Sequence, residues 1–371
     1  MTLNKLQSYI VFIENEDITR DSSGGVMSYI LNLSKYFIEN DRKTVLIGCG
    51  SLKGTDAQSK IFSEFYSIAK KSSLGNFKFF LKLFTTKTLK KIKKGDIVHV
   101  QRPEMVIPLA LRKRNKIICT LHGGQDIAVI KKKGKVMGSF YAFLQYFAFK
   151  LADRLIAVDQ KNLDRYVKKY PWIKHKIELI PISVDTNRFF TKDKAEARTK
   201  FNLPQNEKII LFIGRLEYEK NVEFIINSFK QINKSNIKLV IVGSGSLYQD
   251  LVKLAETHKQ QILFLGELDN SLIPDLINCA DAMILASFFE GSPTVVKESL
   301  CCGVPVISTD VGDVKEVIKS VEGGEIIDNT VESFLKAVNK LLSKKEYQVK
   351  NASTLFSYNL MGEKTLTVYS K

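Results

Sequence analysis

Short apolar runs alternate with longer stretches of helical periodicity along almost the whole chain. In the first half the runs predict strands at Tyr9–Ile13, Thr44–Ile47, Ile97–Val100, Ile117–Thr120, Leu155–Ala157 and Ile177–Ile180. Helical patterns fall between them, as at Val26–Glu39 and Gly138–Leu151. A second set of strands follows at Ile209–Ile213, Leu239–Val242, Leu263–Leu265, Ala282–Leu285, Val306–Ser308 and Glu325–Ile327. Its helices are expected at Val222–Ile232, Leu247–His258, Thr294–Cys302 and Val331–Leu342. Strands that read as unbroken apolar runs, separated by helices, imply parallel α/β sheets. The pattern restarts after the polar stretch Thr191–Lys200, with a boundary near Val184–Phe190. The expectation is an α/β protein of two doubly wound, Rossmann-like domains, residues 1–187 and 188–357, with a tail (about 358–371) packed back on the first.

Open α/β sheets bind ligands outside the carboxyl ends of their strands, so the residues just after each strand are the candidates. Gly24-Gly25 precedes a helix, where backbone N–H groups can approach an anion. The neighbouring GCGSLKGT stretch lacks the Gly-Lys-Ser/Thr of a phosphate loop and is set aside. His122 lies two residues beyond a strand. Gly214, Arg215 and, five residues on, Lys220 end another strand and could clamp a diphosphate. Gly243-x-Gly245 is an incomplete dinucleotide fingerprint. The richest stretch is EGSPTVVKESLCCGVPVIS, Glu290–Ser308. Gly291 makes the turn, Ser292 is the expected N-cap, and Pro293 the expected first helical residue. The amides of Thr294, Val295 and Val296 then offer an anion site, with Glu290 beside it and Glu298 on the face of Val295 and Cys302. Carboxylates next to an anion site make sense when they accept hydrogen bonds from hydroxyls, and a sugar nucleotide supplies both groups.

These residues carry a resemblance. SSGGV, LHGG, LADRLIAVD, IPISVDTNRF, GRLEYEKN and EGSPTVVKESLCCGVPVISTDVGDVKEVI are together similar to retaining glycosyltransferases of family 4, of the cell-surface polysaccharide type. The resemblance covers nearly the whole chain and implies the GT-B fold, two Rossmann-like domains facing across a cleft that closes about the 184–190 linker. It implies transfer of a hexose or N-acetylhexosamine from a nucleotide-diphosphate sugar, expected to be a UDP-sugar, without cofactor or metal. Residue by residue, it gives the Gly25 backbone to the donor diphosphate and His122 to the hexose. Arg215 and Lys220 go to the leaving diphosphate, Glu290 lies under the hexose, and Glu298 binds the ribose. Amides from Ser292 to Val295 hold donor oxygens, and Gly24, Gly214, Gly243, Gly291, Pro293 and Thr294 complete the donor set. Two positions depart from the family pattern: Ile182-Ser183 replaces Asn-Gly, and Asp313 replaces the second glycine of a pair.

Charge adds a partner. The net charge is +17, and residues 1–187 hold 33 Lys and Arg against 16 Asp and Glu. All the excess is therefore in the first half, which points that half to a polyanion. Within it, Asn76–Lys94 reads as one basic amphipathic helix. Phe77, Phe80, Leu81, Phe84 and Ile92 share a face, and Lys78, Lys82, Lys90, Lys93 and Lys94 fill much of the rest; Lys131–Lys135 adds to the basic surface. Such helices bind anionic bilayers, which suits a lipid-linked or saccharide acceptor in surface glycan assembly. The apolar stretch Gly138–Phe149 is too short to span a membrane, and no signal peptide is visible, so the expected location is the cytoplasm, at most peripheral on the inner face of the membrane. Five scattered cysteines read as buried thiols and four scattered histidines as no metal site. Rival readings are a sugar-nucleotide epimerase on the same fold, a glycan phosphorylase, a basic nucleic-acid-binding protein and an NAD(P)-dependent oxidoreductase. No pyridoxal-phosphate motif, helix-turn-helix, zinc finger, RNP motif or complete glycine fingerprint supports the last three.

Overall fold

In the computed structural model the described residues are 8–17, 25–50, 61–69, 74–112, 115–123, 125–343 and 348–371. Gly24 and most of the GCGSLKGT stretch lie outside them, as do the side chains of Lys131–Lys133. The chain forms two compact units: residues 1–183 with 358–371, and residues 184–357.

The first unit runs β1 (Ile10–Asp17), α1 (Gly25–Glu39), β2 (Thr44–Cys49), β3 (Glu64–Ala69), α2 (Asn76–Thr85), β4 (Ile97–Val100), α3 (Val106–Arg112), β5 (Lys116–Leu121), α4 (Gln125–Leu151), β6 (Arg154–Ala157), α5 (Gln160–Lys169) and β7 (Ile177–Leu179). All seven strands are parallel, in the order β3-β2-β1-β4-β5-β6-β7. Alternate residues of each strand feed two cores. Val11, Ile13, Val98 and Val100 point to one face, where Phe79 of α2, Leu109 of α3 and Phe149 of α4 cover them. Ile10, Phe12 and Leu46 point to the other, against Ile30 and Phe37 of α1 and the chain's last helix. The remaining ring-stacking of Phe37 on Tyr369, centroids 5.6 Å apart, ties that last helix to α1.

The second unit continues with α6 (Lys194–Lys200), β8 (Lys208–Ile213), α7 (Val222–Phe229), β9 (Ile237–Val242), α8 (Tyr248–Ala255), β10 (Ile262–Gly266), α9 (Ile273–Asn278), β11 (Ala282–Leu285), α10 (Thr294–Cys301), β12 (Val306–Thr309), α11 (Val314–Ser320), β13 (Gly324–Ile327), α12 (Val331–Leu342) and α13 (Ala352–Leu355). Its six strands are parallel in the order β10-β9-β8-β11-β12-β13. Asp281, just before β11, anchors the inlet edge of this sheet: it accepts from the Ile209 amide at 2.9 Å and from Arg198 at 2.7 Å. Burial would raise its carboxyl, but the Lys194 charge, the Ile209 amide and the Lys208 charge hold it below the usual range. The chain then returns to the first unit as α14 (Tyr358–Ser370).

Three local expectations need correction. An edge strand, β3, was not anticipated. Asn76–Lys94 is not one helix: α2 ends at Thr85, Thr86 is extended, and Thr88–Lys91 is a separate 3-10 turn. The Thr86 hydroxyl takes the amide of Thr88 at 3.2 Å, a local bond that competes with helix continuation. Consequently the face of α2 turned to the core carries Phe79, Phe80 and Leu83, while Phe77, Leu81 and Lys82 are exposed; Lys90, Lys93 and Lys94 are exposed beyond the break. Phe80 therefore packs inside rather than toward a membrane. Finally, α4 starts before Gly138, but Gly134 (φ +81°) interrupts it, so a straight helix begins at Lys135. Among the described residues, no helix is long and apolar enough to cross a membrane. All five cysteines are buried thiols outside any disulfide.

Candidate functional site

In the second unit the chain builds outward from β8 to β10 and then returns to place β11 on the other side of β8. That reversal is the point where an open α/β sheet leaves a crevice beyond its strand ends. Gly214, Arg215 and Lys220 follow β8, Gly243 follows β9, and Ser287–Val295 follow β11. The sequence-predicted residues of this unit thus gather at one sheet edge.

The loops are held by backbone first. Leu216 donates its amide to Ser244 O at 2.8 Å, and Phe288 donates to Glu219 O at 2.9 Å, which ties the β11 loop to the β8 loop. Gly243 has φ +134°, and a Cβ there would lie 1.9 Å from the Gly214 carbonyl oxygen. Its glycine is accounted for by that close approach, not by a dinucleotide. Lys220 ends a 3-10 turn, and Asn221, left-handed at φ +52°, turns the chain into α7.

The charges are then placed. Lys220 Nζ meets Glu290 Oε1 at 2.5 Å, and the Ser287 hydroxyl donates to the same oxygen at 2.8 Å. Both members of the ion pair are mostly buried. Arg215 is different: its side chain is 70% exposed and, among the described residues, meets Glu219 at 3.1 Å. An exposed pair of this kind contributes little and gives way easily to a stronger anion.

Helix α10 begins at Thr294, and no side chain caps its amino end. The expected N-cap, Ser292, is used otherwise. Its hydroxyl donates to Asp313 Oδ2 at 2.7 Å and accepts from Lys297 Nζ at 2.6 Å, and Lys297 also meets Asp313 Oδ2 at 2.7 Å. Lys297 is only 1% exposed. This buried triad gives Asp313, the departure from the family's glycine, a definite partner. It pins the Gly291–Pro293 turn to the loop after β12, where Gly312 (φ +55°) comes so close that a Cβ would lie 1.9 Å from Gly291 O. Among the described residues no side chain takes the first amides of α10, and Val296 N donates to Pro293 O at 3.3 Å. Burial pushes the Glu298 carboxyl up to about 7, against the opposing pull of the Thr294 hydroxyl and the Arg188 guanidinium.

In the first unit the sheet reverses between β1 and β4. His122, after β5, bonds through Nε2 to Gln101 Oε1 at 2.8 Å and receives the edge of the Tyr29 ring, centroids 5.0 Å apart. Burial, then the nearby Arg102 charge, lowers its pKa to about 3, so it is a neutral imidazole. Gly25 is exposed at the start of α1, and among the described residues a Cβ there would meet nothing within 4 Å. Sequence reasoning missed the polar cluster around this point: Glu14 within β1, 3.9 Å from Arg102, and Glu104, which accepts from Tyr141 at 3.0 Å. The signal was present as Gln-Arg-Pro-Glu directly after a strand.

Known protein families match both halves of the chain. Residues 193–353 match the family described as glycosyl transferases group 1, and residues 23–188 match glycosyltransferase family 4. The chain is 28% identical over 270 residues to UDP-Gal:alpha-D-GlcNAc-diphosphoundecaprenol alpha-1,3-galactosyltransferase of Escherichia coli, covering 70% of this chain and 69% of that one. With three further relatives the shared segment spans 48%, 61% and 54% of their length. Sucrose-phosphate synthase of Thermosynechococcus elongatus superposes with a TM-score of 0.83 at 17% identity, over 98% of both chains. HepE of Anabaena, solved in complex with UDP-glucose, superposes with a TM-score of 0.77 at 17% identity, over 98% of this chain and 99% of its own. The protein belongs to glycosyltransferase family 4 and has the GT-B fold. It is a retaining glycosyltransferase that takes its sugar from a nucleotide sugar.

Proposed function

We propose that the protein transfers a hexose or N-acetylhexosamine from a UDP-sugar to a lipid-linked acceptor in the assembly of a surface glycan. The observation that carries the donor half is the Lys220–Glu290 pair set at the strand reversal, beside a helix amino end that no side chain caps. An ammonium has three donors, so Lys220 can hold Glu290 and a phosphate oxygen together. Arg215 swings from Glu219 to the same diphosphate. The amides of Thr294 and Val295 take the remaining oxygens, and Glu290 keeps Oε2 for a hexose hydroxyl. His122 and the Gly25 backbone are assigned to substrate contacts from the first unit; a neutral histidine can bind a hydroxyl without adding charge. The acceptor half leans on the Escherichia coli relative, whose name specifies UDP-galactose and a diphosphoundecaprenol-linked sugar.

In the reaction the acceptor oxygen bonds to the anomeric carbon on the face from which the diphosphate departs. The anomeric C–O bond breaks and its electron pair goes to the β-phosphate, whose oxygen takes the acceptor's proton. Negative charge grows on that phosphate in the transition state, so fixed cations and amides bind it better than they bind the ground state.

A panel of nucleotide sugars read by thermal unfolding tests the donor assignment. At a hundredfold excess over Kd the matching UDP-sugar should raise the melting point by roughly 5–10 °C. Arg215→Ala should lose most of that rise. A panel in which no nucleotide sugar shifts the wild type would end the proposal.

Glu298 gives a pH signature. We assign it to the ribose hydroxyls, which it must receive as a carboxylate, whereas in the free protein its pKa is about 7. Binding therefore expels a proton, and affinity should rise about tenfold from pH 6 to pH 8. Glu298→Gln should flatten the profile. Because the folded carboxyl titrates above its ordinary 4.5, its own contribution to stability is fullest below about 4.5 and is lost as pH rises through 7. Calorimetry in buffers of different ionisation enthalpy would count the proton; a count of zero at pH 6.5 refutes the assignment.

A further inference from the structure

A helix lying on a sheet normally turns a polar face to water. From Val136 to Leu151, α4 does not. Its inner face puts Ala148 and Phe149 in the core. Its outer face carries Phe140, Phe143 and Phe147, which are 46%, 59% and 41% exposed. With Val136 and Leu151 the spacing is 4, 3, 4, 4, one stripe along the helix. The stripe is about 22 Å long at 1.5 Å per residue. The rings of Phe143 and Phe147 meet edge-on, centroids 4.8 Å apart, and Phe147 also meets the Tyr146 ring at 5.5 Å.

The neighbours extend this surface. All three helices, α2, α3 and α4, cover the same face of the first sheet. Arg112 of α3 donates to the carbonyls of Leu83 and Thr86, at 3.3 and 2.9 Å, which locks α3 to the end of α2. On the outer side α3 presents Leu111, and α2 presents Phe77 and Leu81, all exposed. Within these helix segments the charge has one sign, although exposed Asp153 follows two residues beyond Leu151. Residues 74–95, 106–116 and 134–151 contain no aspartate or glutamate, and exposed Lys78, Lys82, Lys135 and Lys150 border the aromatics.

We propose that this three-helix face docks on an anionic lipid bilayer, with the α4 stripe entering the boundary between headgroups and acyl chains and the lysines meeting lipid phosphates. The combination of an aromatic stripe with a largely cationic border fits an interfacial surface. A second copy of the chain fits it poorly. A twofold contact through this face would set lysines against lysines with no carboxylate of these segments to pair them. The inference rests on the lipid-linked acceptor reading only in giving the face a purpose, and it replaces a continuous 76–94 helix as the docking element.

The test is flotation of the full chain with vesicles of phosphatidylcholine alone or enriched in phosphatidylglycerol, at low and high salt, with UDP-sugar binding measured by calorimetry on the same samples. The wild type should float with the anionic vesicles and not with the neutral ones. Phe143→Ser with Phe147→Ser should lower partition at least about tenfold at every salt concentration, while Lys78→Gln with Lys82→Gln should lower it mainly at low salt. Donor binding and melting point should be unchanged in both variants, since all four residues are exposed. Failure of the wild type to float, or serine variants that float like it, would overturn the proposal. So would a wild-type dimer that the serine substitutions convert to monomer, which would assign the face to a second copy. Loss of donor binding in the wild type would strike the donor reading and leave this one standing.

Discussion

Replacing Lys220 by alanine should lower kcat by about 10²- to 10³-fold, the scale seen when one preorganised donor to a developing oxyanion is removed. The prediction follows from how the lysine is held. Its backbone is fixed by a 3-10 turn and a left-handed Asn221, and its Nζ by Glu290. The charge is therefore in place before the reaction and costs no reorganisation as the β-phosphate becomes an anion. If Lys220 served only to bind the donor, KM would rise and kcat would hold. The expected pattern is the reverse: a large fall in kcat with a smaller change in KM. Lys220→Arg should recover part of the rate, because a guanidinium restores charge but not the compact reach of an ammonium. Glu290→Gln should cost less than Lys220→Ala, since the neutral amide can still accept from Lys220. Steady-state kinetics with saturating acceptor decides it, and a kcat for Lys220→Ala within threefold of wild type would refute the assigned role.

Much of this was readable in the sequence. The inner strands announced themselves because a parallel strand covered on both faces is an unbroken apolar run, as in Ile209–Ile213 and Ala282–Leu285. The edge strand β3, Glu-Phe-Tyr-Ser-Ile-Ala, did not, because it is only partly covered and exposed Glu64 and Ser67 break its apolar run. Lys220 and Glu290 were legible because they follow strands, where chemistry gathers. The triad of Ser292, Lys297 and Asp313 was not. A lysine inside a helix reads as a solvated one, and its partner comes 16 residues later, across a helix and a strand. The same blindness made Ser292 look like an N-cap. Periodicity misled at α2, where the spacing of Phe77, Phe80, Leu81 and Phe84 drew a face through residues that the structure divides between core and solvent. The exposed stripe on α4 was hidden for a related reason. A helix apolar all round looks, in sequence, like a buried one.

The triad leads to the second large effect. Asp313→Ala should destabilise the second unit by about 3–5 kcal/mol, because it removes the carboxylate that the buried Lys297 ammonium meets. Lys297→Met removes the charge instead, and strands the Asp313 carboxylate, so its cost should be of the same order. The double variant strands neither and should recover most of the loss, as buried pairs replaced by apolar groups commonly do. Urea unfolding of the four proteins measures the coupling, and single variants that each cost under about 1 kcal/mol would show that the pair is not electrostatically closed. Stability and activity should then part company. In the double variant nothing holds the Ser292 hydroxyl, so the turn that presents the α10 amides is free to drift. Donor KM should stay raised in a protein that folds almost as well as the wild type. That split separates a pair kept to position the anion site from one kept merely to stabilise the fold. It also explains how this chain can depart from the family's glycine at 313: the carboxylate is accommodated because Lys297 was placed beneath it.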